Sequence, residues 1–273
     1  MLARQRHDKI LKLLETRGRV HTAELVDLMD VSSETIRKDL ELLDSQGKLT
    51  RVHGGAVPLS REDQKNGLAG YVPLKTRSGQ NLEQKAAIAR RAVQMVEEGQ
   101  SVALDYGSTS QIMAMALRDS FSQLTVITNS IQNALLLADN PGITVILLGG
   151  ILNRDELTLV DAFSTVLDNF HIDIMFMSVT GIDPDVGLTD QRLSEMRIQN
   201  KMHRLAGRTV VLADSSKFGR TSLLKICSVQ DVDAIITDSG LDAGMRVRFG
   251  AMGANLIIAQ PDSPADTKAP LRA

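Results

Sequence analysis

Small polar residues and glycines follow the short apolar runs in the second half of the chain. Such residues at the carboxyl end of a strand bring backbone amides and hydroxyls close to a bound oxyanion, and a lysine adds positive charge. The residues that share this position are Asp105, Gly107, Ser108, Thr109, Thr128, Asn129, Ser130, Gly149, Gly150, Gly181 and Lys217. Together they predict a shared site for a polyanion or a polyol, with Lys217 as the cation and Asp105 as an acceptor for hydroxyl groups.

Each of these loops also has a simpler explanation. A serine or threonine after a strand is most often the N-cap of the next helix, and a Gly-Gly pair is most often a turn. We favour the shared site because five such loops fall on one predicted sheet edge. No G-x-G-x-x-G sequence follows a strand and no P-loop occurs, which disfavours a dinucleotide site. The five histidines lack metal-binding spacing, so we predict neither a metal nor a cofactor.

The predicted site requires a sheet whose strands end at the same edge. Apolar runs predict strands at 101–105, 124–128, 143–148, 173–179, 209–213, 233–237 and 255–259. Amphipathic segments predict helices at about 83–97, 108–119, 130–138, 161–170, 194–206 and 241–252. This alternation indicates an α/β domain with a mostly parallel sheet that is buried on both faces.

The first 57 residues predict a different fold, with three short helices followed by a hairpin. Thr22 is expected to cap the second helix, and Ser32 or Ser33 is expected to cap the third. The third helix turns Ile36, Leu40 and Leu43 inward, Gly47 ends it, and Gly54-Gly55 mark the turn of a small β-wing. This is the arrangement of a winged helix-turn-helix domain.

The exposed face of the third helix carries Arg37 and Lys38 near its start, where a recognition helix contacts DNA. Charge alone favours a simpler interpretation, a solvated face balanced by Glu34, Asp39 and Glu41, but the turn and the wing reverse that preference. We expect helix 33–46 to enter the major groove, with Arg37 and Ser33 at base edges. The other expected DNA contacts, mainly to phosphates, are Ser32, Thr35, Lys38, Arg51 and His53.

Composition limits the class of protein. The chain has 273 residues, 43% of them hydrophobic and 23% charged, with a net charge of −2. These values exclude a wholly disordered chain, a collagen-like fibre and a disulfide-stapled miniprotein. No apolar stretch of about 18 residues and no signal peptide occur, and Cys227 is the single cysteine. We therefore expect a cytoplasmic protein without a membrane segment.

The domain map that follows has four parts. Residues 1–57 form the winged helix-turn-helix domain, and the polar segment 58–80 is a linker. Residues 81–260 form the α/β domain. The proline-containing residues 261–273 are expected to be a disordered tail.

Several sequence motifs resemble those of the DeoR family of bacterial transcriptional regulators over roughly residues 4–240. The N-terminal motif comprises Val31-Ser32, TIRKDL at 35–40, GKL at 47–49 and RVHGGA at 51–56. The C-terminal half is similar to the family's sensor domain and to ribose-phosphate isomerases, with markers that include DYGST at 105–109, TNS at 128–130 and DSSKFG at 214–219. Tyr106 and Asp161 depart from the family pattern, where smaller residues are usual.

The resemblance implies a regulator of sugar-catabolism genes, most often a repressor, whose effector is a phosphorylated sugar. It places the acidic and lysine positions of the isomerase-like site on Asp105 and Lys217, with Glu195 as a further match. One DNA-binding domain buries little surface, so we expect a homodimer or homotetramer on double-stranded operator DNA. The alternatives are a sugar-phosphate isomerase-like enzyme with a fused DNA-binding domain and a dinucleotide-sensing regulator; we expect no enzyme.

Overall fold

The chain folds into two compact units, Met1–Pro73 and Leu74–Ala273, in a computed structural model. The structure describes residues 3–45, 48–52, 54–57, 72–160 and 164–261. His53 and Asp161, two residues singled out by the sequence, lie outside these ranges, as do the predicted helix end at Gly47, most of the linker and the tail from residue 262.

The first unit contains three helices and a three-stranded antiparallel sheet. The helices are α1 (Ala3–Arg17), α2 (Thr22–Met29) and α3 (Ser33–Ser45). The strands are β1 (Val20–His21), β2 (Thr50–Val52) and β3 (Gly55–Val57), in the order β1-β3-β2. Ile36, Leu40 and Leu43 of α3 are buried against α1 and α2, which confirms the predicted inward face. The two-residue strand β1 was not predicted.

Capping differs from the prediction at one of the two helices. The N-cap of α2 is His21, and Thr22 already lies in the helix, so the prediction that Thr22 caps α2 was wrong. The reason is that β1 pairs with the wing, where the Thr22 amide donates to the Gly54 carbonyl at 2.8 Å. At α3 the Ser32 hydroxyl accepts a hydrogen bond from the Thr35 amide at 3.2 Å, so Ser32 is the cap.

Asp39 is buried between α3 and α1 and does not belong to the solvated face of α3. Its carboxylate accepts hydrogen bonds from Arg6 Nε at 2.6 Å and from His7 Nε2 at 2.8 Å. Burial by itself would raise the pKa of Asp39, but the bonds from Arg6 and His7 outweigh burial and hold the pKa below its ordinary value of 3.8. Asp39 therefore fastens α3 to α1 without offsetting the charge of Arg37 or Lys38.

Replacing Asp39 with alanine should destabilise the first unit by about 3 kcal/mol, because it leaves Arg6 without its carboxylate partner. Calorimetry of the full chain would measure this as a lower melting temperature for the first unit, with the exposed Asp27→Ala on α2 as control. Because the folded-state pKa is lowered, the stabilisation is complete above pH 3.8 and is lost as the pH falls below it. Equal melting temperatures of the first unit in the two variants would contradict this role of Asp39.

The second unit is built on a seven-stranded parallel sheet in the order β15-β14-β12-β9-β4-β5-β6. Its strands are β4 (Ser101–Leu104), β5 (Leu124–Thr128), β6 (Ile143–Leu147), β9 (Ile172–Ser178), β12 (Ala206–Leu212), β14 (Ala234–Asp238) and β15 (Leu256–Ala259). Smaller elements are the hairpin β7–β8 (Ile151–Asn153, Thr158–Val160) and a sheet of β10 (Gly181–Asp183), β11 (Gly187–Asp190) and β13 (Leu224–Cys227). All seven predicted strands are present, within three residues at each end.

Helices cover both faces of the large sheet. They are α4 (Leu74–Ser78), α5 (Leu82–Val93), α6 (Ser108–Ser120), α7 (Ile131–Ala138), α8 (Leu193–Leu205) and α9 (Ala243–Ala251). Successive residues of β9 contribute to opposite cores: Phe176 packs with Leu104 on one face, whereas Met175 and Met177 pack with Ile235 on the other. Burial on both faces explains why these strands are continuous apolar runs.

Two predictions of local structure need correction. The segment predicted as a helix at 161–170 is described from residue 164 onward, where it forms a 3-10 helix at Ser164–Asn169. Serine, threonine, valine, aspartate and asparagine are weak α-helix formers, which accounts for the difference. The predicted linker 58–80 ends in helix α4, which belongs to the second unit because Leu74 is buried there. Among the described helices, none has the length and apolar character needed to cross a membrane.

Candidate functional site

The large sheet has a switch point between β4 and β9. From β4 the chain proceeds to β5 and β6 on one side, and from β9 it proceeds to β12, β14 and β15 on the other. In open α/β sheets such a point leaves a crevice at the carboxyl ends of the strands. Gly107 lies at this edge: a Cβ built on it would be 3.6 Å from the Ser178 Cβ and 3.7 Å from Arg77 Nη1.

Helix α6 begins at this crevice. Gly107 is its N-cap with φ of 119°, a conformation that favours glycine. The first backbone bond of the helix runs from the Gln111 amide to the Gly107 carbonyl, so the amides of Ser108, Thr109 and Ser110 have no partner within the helix. Amides in this position, together with the positive end of the helix dipole, are the donors that anions use at helix N-termini.

Lys217 has three basic side chains within electrostatic range, those of Lys85, Arg77 and Arg220. Burial lowers the pKa of Lys85 to about 8; Asp214 opposes this shift, and Lys217 and Arg77 increase it. Burial also lowers the pKa of Lys217, again against Asp214, and Arg77 and Arg220 lower it further. Because these cations destabilise one another, a bound anion would relieve their repulsion.

Backbone carbonyls and Asp214 hold two of these lysines in place. Lys85 Nζ donates to the carbonyl oxygens of Arg77 and Gln80, each at 2.6 Å. Asp214 is the N-cap of the 3-10 turn Ser215–Lys217, and its Oδ1 also accepts from Asn81 Nδ2 at 3.1 Å. The Lys217 ammonium has no hydrogen-bond partner among the described residues. Lys217 is therefore the cation best placed for a ligand.

Asp105 is buried at the end of β4 and is bonded mainly to the protein itself. Its Oδ2 accepts from the Ser178 amide at 2.7 Å and from Gln199 Nε2 at 2.8 Å. Within the described residues, Oδ1 has no partner. Burial raises the pKa of Asp105 well above its ordinary value, and Gln199 and Ser178 only partly oppose this. Oδ1 is thus the Asp105 oxygen left for a ligand, and the predicted role of acceptor for hydroxyls stays a prediction.

Tyr106 fills the space beside Asp105 and binds a second buried carboxylate. Its hydroxyl donates to Asp190 Oδ2 at 3.0 Å, and Thr180 Oγ1 donates to Asp190 Oδ1 at 3.1 Å. Burial raises the pKa of Asp190. Tyr106, where the family pattern has a smaller residue, thus joins the end of β4 to β11.

The loop after β5 uses two of its three predicted site residues for its own structure. Thr128 Oγ1 accepts from the Ser130 amide at 3.1 Å, and Ser130 Oγ caps α7 by accepting from the Asn133 amide at 3.3 Å. The Asn129 side chain is buried, and its Nδ2 has no partner in the described part of the chain. Asn129 is therefore the residue of this loop with a donor available to a ligand.

Three of the remaining predicted residues, Gly150, Gly181 and Glu195, have close contacts within the protein. A Cβ on Gly150 would lie 2.5 Å from the Val160 carbonyl oxygen, and one on Gly181 would lie 2.5 Å from the Arg220 carbonyl oxygen. Gly149, which precedes Gly150, is exposed at the turn into β7. The buried Glu195 accepts from Thr158 Oγ1 at 3.0 Å and Ser194 Oγ at 2.6 Å. Glu195 therefore joins α8 to the β7–β8 hairpin.

The first unit presents a separate basic surface on α3 and the wing. Arg37 is exposed and has no ion pair within the described ranges, whereas Lys38 lies 3.7 Å from Glu34 one turn earlier. Ser33 is exposed, and the Thr35 and Ser32 hydroxyls lie 2.8 Å apart. Arg51 of β2 lies 3.8 Å from Glu41. Arg37 is thus the described cation of α3 whose charge is not offset by a neighbouring acid.

Comparison with known proteins identifies both units. The model of the DeoR-like helix-turn-helix domain matches residues 6–62, and that of the DeoR C terminal sensor domain matches residues 80–239. The chain belongs to the DeoR family. It is a DNA-binding transcriptional regulator.

Relatives of this DeoR-family protein match along most of its length. It is 35% identical to the HTH-type transcriptional regulator GolR of Listeria innocua, over 94% of this chain and 98% of GolR. It is 32% identical to the glycerol-3-phosphate regulon repressor of Escherichia coli, over 86% of this chain and 90% of that protein. A solved D-ribose-5-phosphate isomerase in complex with phospho-erythronic acid covers 49% of this chain and 52% of its own, with 21% identity and a TM-score of 0.38.

Four residues at the strand ends of this DeoR-family sensor domain were missed by the sequence analysis: Arg77, Asp190, Gln199 and Arg220. Arg77 lies in a segment with no periodic pattern, and Asp190 and Gln199 reach Tyr106 and Asp105 from 84 and 94 residues away. No local spacing marks such contacts. Arg220 follows the DSSKFG motif directly and could have been included with it.

Proposed function

We propose that this protein is a sequence-specific repressor of sugar-catabolism genes, controlled by a phosphorylated sugar that binds at the switch point of the large sheet. The observation that carries the proposal is that α6 begins at the switch point with amides that have no partner within the helix, with Arg77 beside Gly107 and Lys217 in range of Arg77. In this arrangement the Ser108 and Thr109 amides and Lys217 bind the phosphate. The Asn129 amide donates to a sugar oxygen, and Asp105 Oδ1, which has no partner among the described residues, accepts from a sugar hydroxyl.

On DNA, α3 enters the major groove. Arg37 reads a base edge together with Ser33, and Ser32, Thr35, Lys38, Arg51 and His53 contact phosphates and fix the register. Because one such domain buries little surface, the protein acts as a homodimer or homotetramer on paired half-sites. The cytoplasm is the compartment in which such a regulator meets both DNA and sugar phosphates.

An isomerase-like enzyme remains the second candidate, since Asp105 and Lys217 match the acidic and lysine positions of the resemblance. Against it, the sequence shows no acid–base pair at a defined spacing, and Asp105 Oδ2 already accepts from the Ser178 amide and Gln199. A coupled assay with pentose phosphates tests this directly. Turnover that is lost in Asp105→Asn would favour the enzyme.

The effector is tested by thermal unfolding of the full chain with sugar phosphates and their unphosphorylated parents. A ligand at 100 times its dissociation constant stabilises the protein by about 2.7 kcal/mol, which raises the melting temperature by several degrees. A shift with a phosphorylated sugar, and none with its parent, is the expected result. No shift with any phosphate would contradict the proposed effector.

Effector affinity should fall as the pH rises through about 8, the pKa of Lys85. Binding of an anion favours the charged lysine, so affinity is lost when the lysine loses its proton. The ligand does not cause this change, because a phosphate monoester is already dianionic above pH of about 7. Titration calorimetry between pH 7 and 9 measures the affinity for the effector. An affinity that is constant over this range would show that the charge of Lys85 does not contribute to binding.

A further inference from the structure

Arg77 approaches the effector site from outside the predicted sensor domain. It lies in the short helix α4, which begins at Leu74, the first residue of the second unit. Its Nη1 lies 3.7 Å from the position of a Cβ on Gly107, the N-cap of α6. The guanidinium therefore lies beside the amides that would hold an anion.

The same guanidinium is bonded to a buried carboxylate. Arg77 Nη2 donates to Glu156 Oε2, and Glu156, in the turn of the β7–β8 hairpin, is fully buried. The other carboxylate oxygen of Glu156 lies 3.9 Å from Arg192 Nε at the start of α8. Glu156 thus keeps a cationic neighbour if Arg77 turns away from it.

We propose that Arg77 is a ligand of the effector's phosphate and that Glu156 competes with the phosphate for it. This inference rests on the proposed function. Guanidinium groups bind carboxylates and phosphates with the same pair of N–H donors, so a phosphate at the start of α6 can replace Glu156 as the acceptor. Binding then exchanges one anion for another at Arg77 and leaves Glu156 to Arg192.

Helix α4, at the start of the second unit, is held by contacts that this exchange of anions would affect. Lys85 Nζ holds the carbonyl oxygens of Arg77 and Gln80, and Ser78 Oγ lies 3.1 Å from Gln111 Oε1 on α6 and 2.9 Å from the Leu74 carbonyl. A helix of five residues has few backbone bonds of its own to resist a shift. The phosphate therefore acts on the segment that leads back to the DNA-binding unit.

Hydrogen exchange of the wild-type full chain tests the coupling without any mutation. The probe is inorganic phosphate, compared with chloride at equal ionic strength. We expect phosphate to change amide exchange in peptides that cover 72–81 and 151–160, in addition to protecting 107–111. Protection of 107–111 with no change in the other two segments would overturn the inference and leave the proposed function standing.

Two variants test the competition through the sign of their effects. Arg77→Gln should weaken phosphate binding about thirtyfold, the value of one charge-assisted hydrogen bond. Glu156→Gln should instead strengthen it, because the competing carboxylate is gone, whereas a purely structural Glu156 would give weaker or equal binding. The controls are Arg118→Gln, at the opposite end of α6, and Asp168→Asn, which removes the partner of Lys201.

The outcomes separate this inference from the proposed function. If the wild-type protein binds phosphate and Arg77→Gln behaves like Arg118→Gln, Arg77 is not a ligand and the inference fails alone. If Glu156→Gln does not fold, phosphate binding by Arg77→Gln and hydrogen exchange of the wild-type protein still decide whether Arg77 is a phosphate ligand. If the wild-type protein shows no phosphate binding, and no protection of 107–111, the proposed effector site and the inference both fail.

Discussion

Replacing Lys217 with alanine is expected to abolish the response to the effector while operator affinity stays unchanged. The Lys217 ammonium lies at the end of the Ser215–Lys217 turn. Burial lowers its pKa, and the charges of Arg77 and Arg220 lower it further. Its loss removes one charged hydrogen bond to the phosphate, which costs about 2 kcal/mol, or roughly thirtyfold in affinity. Titration of operator-bound protein with the effector, followed by fluorescence anisotropy, measures both properties.

A matched control for this variant is Lys225→Ala. Lys225 is an exposed lysine on β13. The Lys225→Ala protein should respond to the effector as the wild-type protein does. If Lys217→Ala folds, melts at the wild-type temperature and still responds fully, the ligand does not bind at this edge of the sheet. Loss of operator binding in a folded Lys217→Ala protein would assign Lys217 a structural role.

Replacing Arg37 with alanine is expected to lower specific operator affinity by about 1–3 kcal/mol, the value of a bidentate contact to a guanine edge. The side chain is exposed on α3 and no described acid neutralises it, so its removal should change stability by less than about 0.5 kcal/mol. The measurement is binding to operator and to unrelated DNA at one salt concentration. Specific binding should weaken more than non-specific binding.

Lys38→Ala is the matched control on the same helix. Lys38 is expected to contact phosphates, so its loss should weaken binding to both DNAs equally and reduce the slope of log affinity against log salt by about one. If the two variants behave alike, Arg37 does not read a base. Unchanged operator binding by Arg37→Ala at matched salt would contradict the assignment of α3 as the recognition helix.

Much of the fold is predictable because the large sheet is buried on both faces. Strands such as β9 and β14 are continuous apolar runs, and periodicity is enough to find them. The short strands of the β7–β8 hairpin and of β10, β11 and β13 were missed, since three or four residues give no measurable period. The segment Ser164–Asn169 was predicted as α-helix, and its sequence does not distinguish an α-helix from the 3-10 helix that is observed.

The candidate site was predictable as a place, and less so as a set of contacts. Strand-end position indicated Gly107 and Lys217 because parallel strands deliver their carboxyl ends to one edge, and their role in binding stays a prediction. The roles of Ser130 and Thr128 were weighed between cap and ligand, and only the hydrogen bonds of the folded chain show that these oxygens serve the loop. Burial raises the pKa of Asp105 while its bonds to Gln199 and Ser178 lower it, and no local pattern reveals such partners.

The wing is attached to the body of the first unit on both of its strands. A Cβ on Gly55 would lie 1.9 Å from the Val20 carbonyl oxygen, so β3 lies directly on β1, and the Arg51 amide on β2 donates to Asp44 of α3 at 3.0 Å. Arg37 and Arg51 therefore keep a constant separation. Successive base pairs are about 3.4 Å apart along one strand. If Arg37 and Arg51 contact DNA as proposed, an operator with one base pair inserted between the two contacts should lose one of them, because the backbone of the first unit cannot stretch to follow it.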